Sequence, residues 1–301
     1  MYWNRLRAYL KAQYGTTVYK LALSSGCSCP NRDGTLGTRG CIFCDGAGAF
    51  AQHGPIPDQL AAAKARVAFK AGPNARYIAY FQSFTNTYAP LSRLRELYTA
   101  AMAPEDVVIL SVATRPDCLP EETVDLLAEL NRIKPVWVEL GLQTIHPESA
   151  AWIRRGYDLS VFDQAVERLR TAGISVIVHQ ILGLPGETPE QMVETARYIG
   201  KSGASGIKFH LLHVLRGTDL EPLWRSGAVT CLEQDAYIQI LEACLRNIPR
   251  EMVVHRLTGD GAKRDLLAPL WSADKKQVLS AINTAFQQDN LEQGSDLCFD
   301  M

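Results

Sequence analysis

Residues 26–44 read GCSCPNRDGTLGTRGCIFC and hold four of the chain's eight cysteines. Cys29, Cys41 and Cys44 are spaced C-x11-C-x2-C, and Cys27 lies two positions before the first of them. Gly, Asn, Asp and Pro fill the intervals, so the stretch reads as a loop. Thiolates gathered on such a loop suit a soft metal or an iron–sulfur cluster. Three of them holding a [4Fe–4S] cluster would leave its fourth iron open, and the rest of the chain is read outward from there.

The sequence has 301 residues, 47% hydrophobic and 21% charged, which is ordinary globular composition with ample material for a core. A net charge of −1 announces no global basic field for nucleic acid, though a local patch is compatible with it. No apolar run reaches the ~18 residues of a membrane span. The first fifteen residues, MYWNRLRAYLKAQYG, carry charges through their middle and lack the apolar segment of a secretory signal. A cytoplasmic location follows as the expectation. In that reducing setting eight cysteines argue for metal or redox chemistry over disulfides.

Trp3, Leu6, Tyr9 and Leu10 recur at helical spacing among Arg5, Arg7 and Lys11, which predicts a short amphipathic helix. Val18–Leu23 reads as a strand leading into the cysteine loop. A regular alternation follows. Strands are expected at Arg76–Gln82, Val107–Ala113, Val136–Leu140, Ile174–Leu182 and Gly206–Leu212. Helices are expected at Ala61–Lys70, Leu91–Met102, Glu121–Ile133, Val161–Thr171 and Glu190–Ile199. Six strands separated by helices predict an α/β fold, a partial (β/α)6 TIM-like barrel with its sheet parallel and its helices outside. After residue 220 the alternation stops, and helices at Glu233–Asn247 and Lys275–Gln287 predict a mainly helical C-terminal extension. The expected organisation is an N-terminal helix in 1–17, the barrel in 18–220 and the extension in 221–301.

Chemistry in such barrels gathers at the C-terminal ends of the strands. Those ends carry Gln82-Ser83-Phe84-Thr85-Asn86-Thr87, Thr114-Arg115-Pro116-Asp117, Glu139 with Gly141-Leu142-Gln143-Thr144, His179 with Gly183-Leu184-Pro185-Gly186-Glu187, and Lys208, His210 and His213 with Arg216-Gly217-Thr218. Polar side chains recurring there beside a thiolate loop describe a ligand pocket. Lys208 is expected to point into the barrel, because helices should cover the outer face.

Together these motifs resemble the radical S-adenosylmethionine (radical SAM) enzymes. The likeness is to the YhcC/YtqA-like group, through the cysteine loop ending in Cys-x-aromatic-Cys, then GLQ, GLPGE, RGT, and in the tail HRLTGD, APLW and Gln293-Gly294. The resemblance implies that Cys29, Cys41 and Cys44 hold the [4Fe–4S] cluster and that the backbone of Phe43 lies near the adenine of S-adenosylmethionine. Gln82 and Ser83 stand where many relatives carry a glycine-rich motif for the methionine amino group. Gln143 and Arg155 match a Gln and an Arg that flank the cofactor, with Arg155 meeting its carboxylate, and Glu139 and His179 match positions on the ribose side. The loop departs from the commoner C-x3-C-x2-C pattern in having eleven residues between its first two ligands. The implied activity is generation of a 5′-deoxyadenosyl radical. The implied substrate is a tRNA wobble-uridine side chain, and the implied electron donor is a protein such as flavodoxin or ferredoxin. A basic edge of Arg5, Arg7, Lys11 and Lys20 is the expected contact with RNA phosphates.

Two other readings use the same residues. One keeps the cluster and places a small molecule in the barrel. The other is a zinc-stabilised binding protein with Cys27, Cys29, Cys41 and Cys44 as a four-thiolate site. Its C-x-C spacing is awkward for one tetrahedral ion, and zinc leaves the polar strand ends unexplained. Cys118, Cys231, Cys244 and Cys298 lie apart in sequence and read as structural.

Overall fold

In a computed structural model, residues 2–45, 54–259 and 263–297 are described. Six strands appear where the alternation placed them: β1 Val18–Leu23, β2 Arg76–Phe81, β3 Val107–Thr114, β4 Val136–Gln143, β5 Ser175–Leu182 and β6 Gly206–Leu211. They pair in parallel in chain order. The α/β class and the partial barrel therefore hold. A seventh strand, β8 Val253–Arg256, extends the same sheet beside β6. It comes from the region expected to be mainly helical. Four residues long, it is too short for its alternation to stand out. Gly206 makes the pairing possible, since a Cβ there would lie 2.8 Å from His255 Nε2 and 3.0 Å from Val253 O. A two-stranded antiparallel sheet joins β7 Val214–Leu215 to β9 Leu266–Ala268.

Among the described residues the helices are α1 Leu6–Tyr14, α2 Ile56–Val67, α3 Leu91–Met102, α4 Glu121–Asn131, α5 Pro147–Trp152, α6 Leu159–Thr171, α7 Pro189–Lys201, α8 Leu220–Arg225, α9 Gln234–Arg246 and α10 Lys275–Gln288. α2 starts five residues before the alanine-rich run. Pro57 in its first turn fits there because that turn's N–H groups lack intrahelical partners, and Asp58 favours its dipole. Thr188 and Gln191 form a reciprocal capping box at the start of α7.

The strands are buried on both faces. Phe81, Leu110, Val112, Val138, Leu140, Val176 and Val178 face the helices in the main core. Their alternates, Ile78, Tyr80, Ile109, Ala113, Trp137 and Ile177, face the barrel interior, where Leu6, Leu10 and Tyr14 of α1 pack against them. The N-terminal helix thus plugs the half-barrel through residues four apart. Tyr9, expected on the apolar face, is exposed. Gln293 ties the tail to the start of the chain: it accepts from Asn4 N at 2.8 Å and donates to Pro249 O and Met252 O.

Candidate functional site

The cysteine loop folds back on itself before it meets the barrel. Cys29 O accepts from the backbone of Arg32 and Asp33, Pro30 O from Leu36 and Gly37, and Asn31 O from Gly40 at 2.7 Å. The eleven-residue insert therefore closes beside Cys29 and returns the chain at Cys41. The turn at Cys41–Cys44 is held by Cys44 N on Cys41 O. Ile42 locks it from both sides, its N–H donating to Ile153 O and its carbonyl accepting from Leu220 N. Beneath it Ile42 packs with Ile153, Ile181 and Leu184, and Phe43 lies against them. The GLPGE stretch after β5 therefore supports the turn through Leu184. Asn31 is buried, and its amide donates to Arg154 O at 2.7 Å and toward Cys41 Sγ at 3.5 Å.

Cys29, Cys41 and Cys44 line one cavity with Phe43, Gln82, Glu139, Gln143, Arg155 and His179. Every predicted site residue except Ser83 is on that wall. Ser83 is buried next to it, and its hydroxyl has no hydrogen-bond partner. Gln143 holds a left-handed backbone (φ +71) at a register shift in β4, and its amide folds over Gly141, where a Cβ would lie 2.9 Å from Nε2. Arg155 is buried with Nη1 on Thr144 O (2.6 Å), Nε on Tyr157 O (3.1 Å) and its guanidinium over the Tyr157 ring. The carbonyls fix the direction in which it faces the cavity.

The cavity floor is an ionic layer inside the barrel. Glu139 is fully buried and accepts from Lys20 Nζ (3.1 Å), Ser111 Oγ (2.7 Å), His179 Nε2 (2.8 Å) and Lys208 Nζ. Burial alone would raise its carboxyl, but Lys20 and Lys208, then His179, hold it well below the usual carboxylate range. Burial, with Lys208 beside it, brings His179 down to about 4, so the ring is neutral near pH 7. A carboxylate can only accept, so Nε2 carries the proton and Nδ1 is left as an acceptor. Lys208 points inward as expected and also donates to Tyr80 Oη at 3.0 Å.

Arg32 and Tyr157 on the cavity wall were missed by sequence reasoning, whereas Phe84, Thr85 and Arg115 stand in the quoted strand ends without an assigned role. Thr85 had a signal, lying in the quoted strand-two end, and its buried Oγ1 also has no partner. Phe84 beside it has φ +63, rare for an aromatic residue. Two expectations need correction. Lys20 is not on a basic edge, because its ammonium enters the barrel to meet Glu139; Arg5 stacks on Trp3 at 3.8 Å, which leaves Arg7 and Lys11 exposed. Cys27 does not join the other loop cysteines. It is buried in the main core, and burial pushes its thiol up. Among the described residues no three Cys, His, Asp or Glu side chains converge on a position for a single ion, which removes the four-thiolate zinc site. Cys118 and Cys244 are buried and Cys231 half-buried, whereas Cys298 lies outside the described residues.

The donor set fits the cofactors that the resemblance implies. Three thiols share one wall of the cavity, the donor type that an iron–sulfur core takes. Cys41 is pushed up to about 11 by burial first and then by Cys44. The orphaned hydroxyls of Ser83 and Thr85 await a polar partner.

A family model described as the Radical SAM superfamily matches residues 34–199, and one described as the Radical_SAM C-terminal domain matches 204–288. The chain is 44% identical to the uncharacterized protein YtqA of Bacillus subtilis over 97% of this chain and 92% of that one. Over 51% of this chain it is 26% identical to a tRNA uridine(34) acetyltransferase of Methanocaldococcus jannaschii, covering 28% of that protein. In fold it is similar to the archaeal Elp3 of Methanocaldococcus infernus, with a TM-score of 0.70 at 17% identity over 92% of this chain and 64% of that one. None of its described helices is long and apolar enough to cross a membrane. The family match spans more than half of the sequence, and the chain therefore belongs to the radical SAM superfamily, whose members bind a [4Fe–4S] cluster and S-adenosylmethionine.

Proposed function

We propose that this radical SAM enzyme holds its cluster on Cys29, Cys41 and Cys44 and modifies a tRNA wobble-uridine side chain. The observation that carries the site assignment is the shared cavity: three thiols, the strand-end residues Gln82, Glu139, Gln143 and His179, and Arg155 from the loop after α5 face one space. When bound, the cluster supplies the electron that cleaves the sulfonium bond of S-adenosylmethionine, and the resulting radical abstracts hydrogen from an unactivated carbon. The chain's own groups bind and orient. Arg155 offers a guanidinium for a carboxylate. Thr85 and Ser83 offer free hydroxyls for an ammonium, and neutral His179 offers Nδ1 as acceptor for a ribose hydroxyl. Glu139 holds the His179 ring and tautomer. Residues 18–220 carry all of these groups, and residues 221–301 close the sheet with β8 and flank it.

Support for an RNA substrate comes from the partial likeness to the tRNA uridine(34) acetyltransferase and from the exposed Arg7 and Lys11 on α1. A reducing cytoplasm with a flavodoxin or ferredoxin donor suits this chemistry. The test is anaerobic incubation with S-adenosylmethionine, dithionite and bulk tRNA. Release of 5′-deoxyadenosine together with a changed uridine nucleoside is expected. Deoxyadenosine release with an unchanged nucleoside profile would refute the RNA substrate while leaving the radical chemistry intact.

A further inference from the structure

Arg32 stands between the two halves of the cysteine loop. Its backbone N–H donates to Cys29 O at 2.8 Å, and its Nη2 donates to Cys44 O at 2.6 Å. Between these contacts the guanidinium lies flat on Gly40. A Cβ at residue 40 would be 2.7 to 2.9 Å from Arg32 Nε, Cζ and Nη2, and the Gly40 backbone is left-handed at φ +75. The left-handed backbone favours glycine there, and a side chain at that position would have to push the guanidinium aside.

The cavity wall that carries the three cysteines includes Arg32. Neighbouring guanidiniums are engaged elsewhere, Arg155 by the carbonyls of Thr144 and Tyr157 and the others by carboxylates. Arg115 is paired with Asp117 through two hydrogen bonds, and Arg154 and Arg39 both meet Asp219. Arg32 has no such ion pair among the described residues. Its positive charge stands on the wall that carries the three thiols.

We propose that Arg32 is a positioning residue for the cluster: it clamps the Cys29 half of the loop to the Cys41–Cys44 turn and sets a positive charge beside the three sulfurs that makes the cluster easier to reduce. This rests on the ligand assignment above. One-electron reduction adds a negative charge to whatever the thiolates hold, and a fixed cation nearby stabilises the reduced form more than the oxidised one. The effect is largest where water is excluded. A lysine would keep the charge but not the flat contact with Gly40 and the directed bond to Cys44.

The experiment is an EPR-monitored redox titration, with mediators and without S-adenosylmethionine, of anaerobically reconstituted wild type, R32Q and R32K. Iron and sulfide are counted first. R32Q at full cluster content is expected to have a more negative midpoint than wild type. R32K is expected to stay near the wild-type midpoint but to lose iron faster to a chelator. An unchanged midpoint in R32Q overturns the charge role, and chelation of R32K at the wild-type rate overturns the clamp. If R32Q does not load, Gly40→Ala carries the test, since it displaces the guanidinium without removing it; its midpoint must also move negative, and an unmoved value overturns the proposal. A wild type that binds no iron and sulfide would refute the ligand assignment instead.

Discussion

Glu139→Gln removes one charge from the layer beneath the cavity and changes almost no volume. In the native protein the carboxylate answers two ammonium groups, Lys208 at 2% exposure and Lys20 at 25%. With an amide in its place, Lys208 keeps only Tyr80 Oη as a described hydrogen-bond partner besides the amide itself. Breaking a buried pair by removing one partner costs about 3–5 kcal/mol. Lys20 can swing toward solvent and escape most of that cost, whereas Lys208, already pushed well down by burial, escapes it only by giving up its proton. The expected loss is therefore about 3 kcal/mol, assigned to Lys208. The double variant Glu139→Gln with Lys208→Met removes both charges and should recover much of it. Urea unfolding of the cluster-free protein, followed by far-UV circular dichroism, measures all the variants. The reasoning fails if the single variant unfolds within ~1 kcal/mol of wild type, or if the costs of Glu139→Gln and Lys208→Met simply add.

Acid should weaken the fold through His179. Its folded pKa of about 4 lies below the ordinary 6.5, so the unfolded chain binds the proton first and stability falls as pH drops from 6.5 toward 4, by up to about 3 kcal/mol. His179→Asn should flatten that slope, and an equal slope in the variant would exclude the residue. Cys41→Ala should abolish deoxyadenosine formation and leave the circular dichroism spectrum unchanged; retained turnover would sink its role as ligand. Gly206→Ala drives a methyl group into His255 and Val253 O, and should destabilise the chain by about 1–3 kcal/mol in urea, with a neutral result excluding close β6–β8 contact. Replacing Arg7 and Lys11 with Gln should lower the salt slope of tRNA binding by up to about two units. An unaltered slope would remove α1 from the RNA surface.

The barrel was legible because β2 to β6 are buried along nearly their whole length and are bounded by turn residues, so runs such as Val107–Thr114 stand out without any partner. β8 was not, because what defines it lies elsewhere: the glycine on β6 that admits it and the Gln293 side chain that ties down Pro249 and Met252 before it. The cysteine loop was legible as a donor set through composition alone. Its closure was not, since Asn31 reaches Arg154, a residue 123 positions away. Lys20 shows the same limit more sharply. On a strand edge a lysine reads as solvated, and only the position of Glu139 two strands beyond β2 turns it inward.

These points share a physical cause that bears on the site itself. Alternation along a strand says which side chains enter the barrel but not what they meet. The interior of this half-barrel is apolar at the level of Ile78, Ile109, Trp137 and Ile177, where α1 plugs it. It is charged one step up each strand, at Tyr80, Ser111, Glu139 and His179. Such a charged layer is costly unless it is fully paired. A barrel selected only for stability would carry aliphatic residues at those positions. Keeping Glu139 ionised, with two lysines answering it, fixes the ring of a neutral His179 on the cavity wall, which an aliphatic floor could not do. The expense of that layer is thus explained by what stands on it.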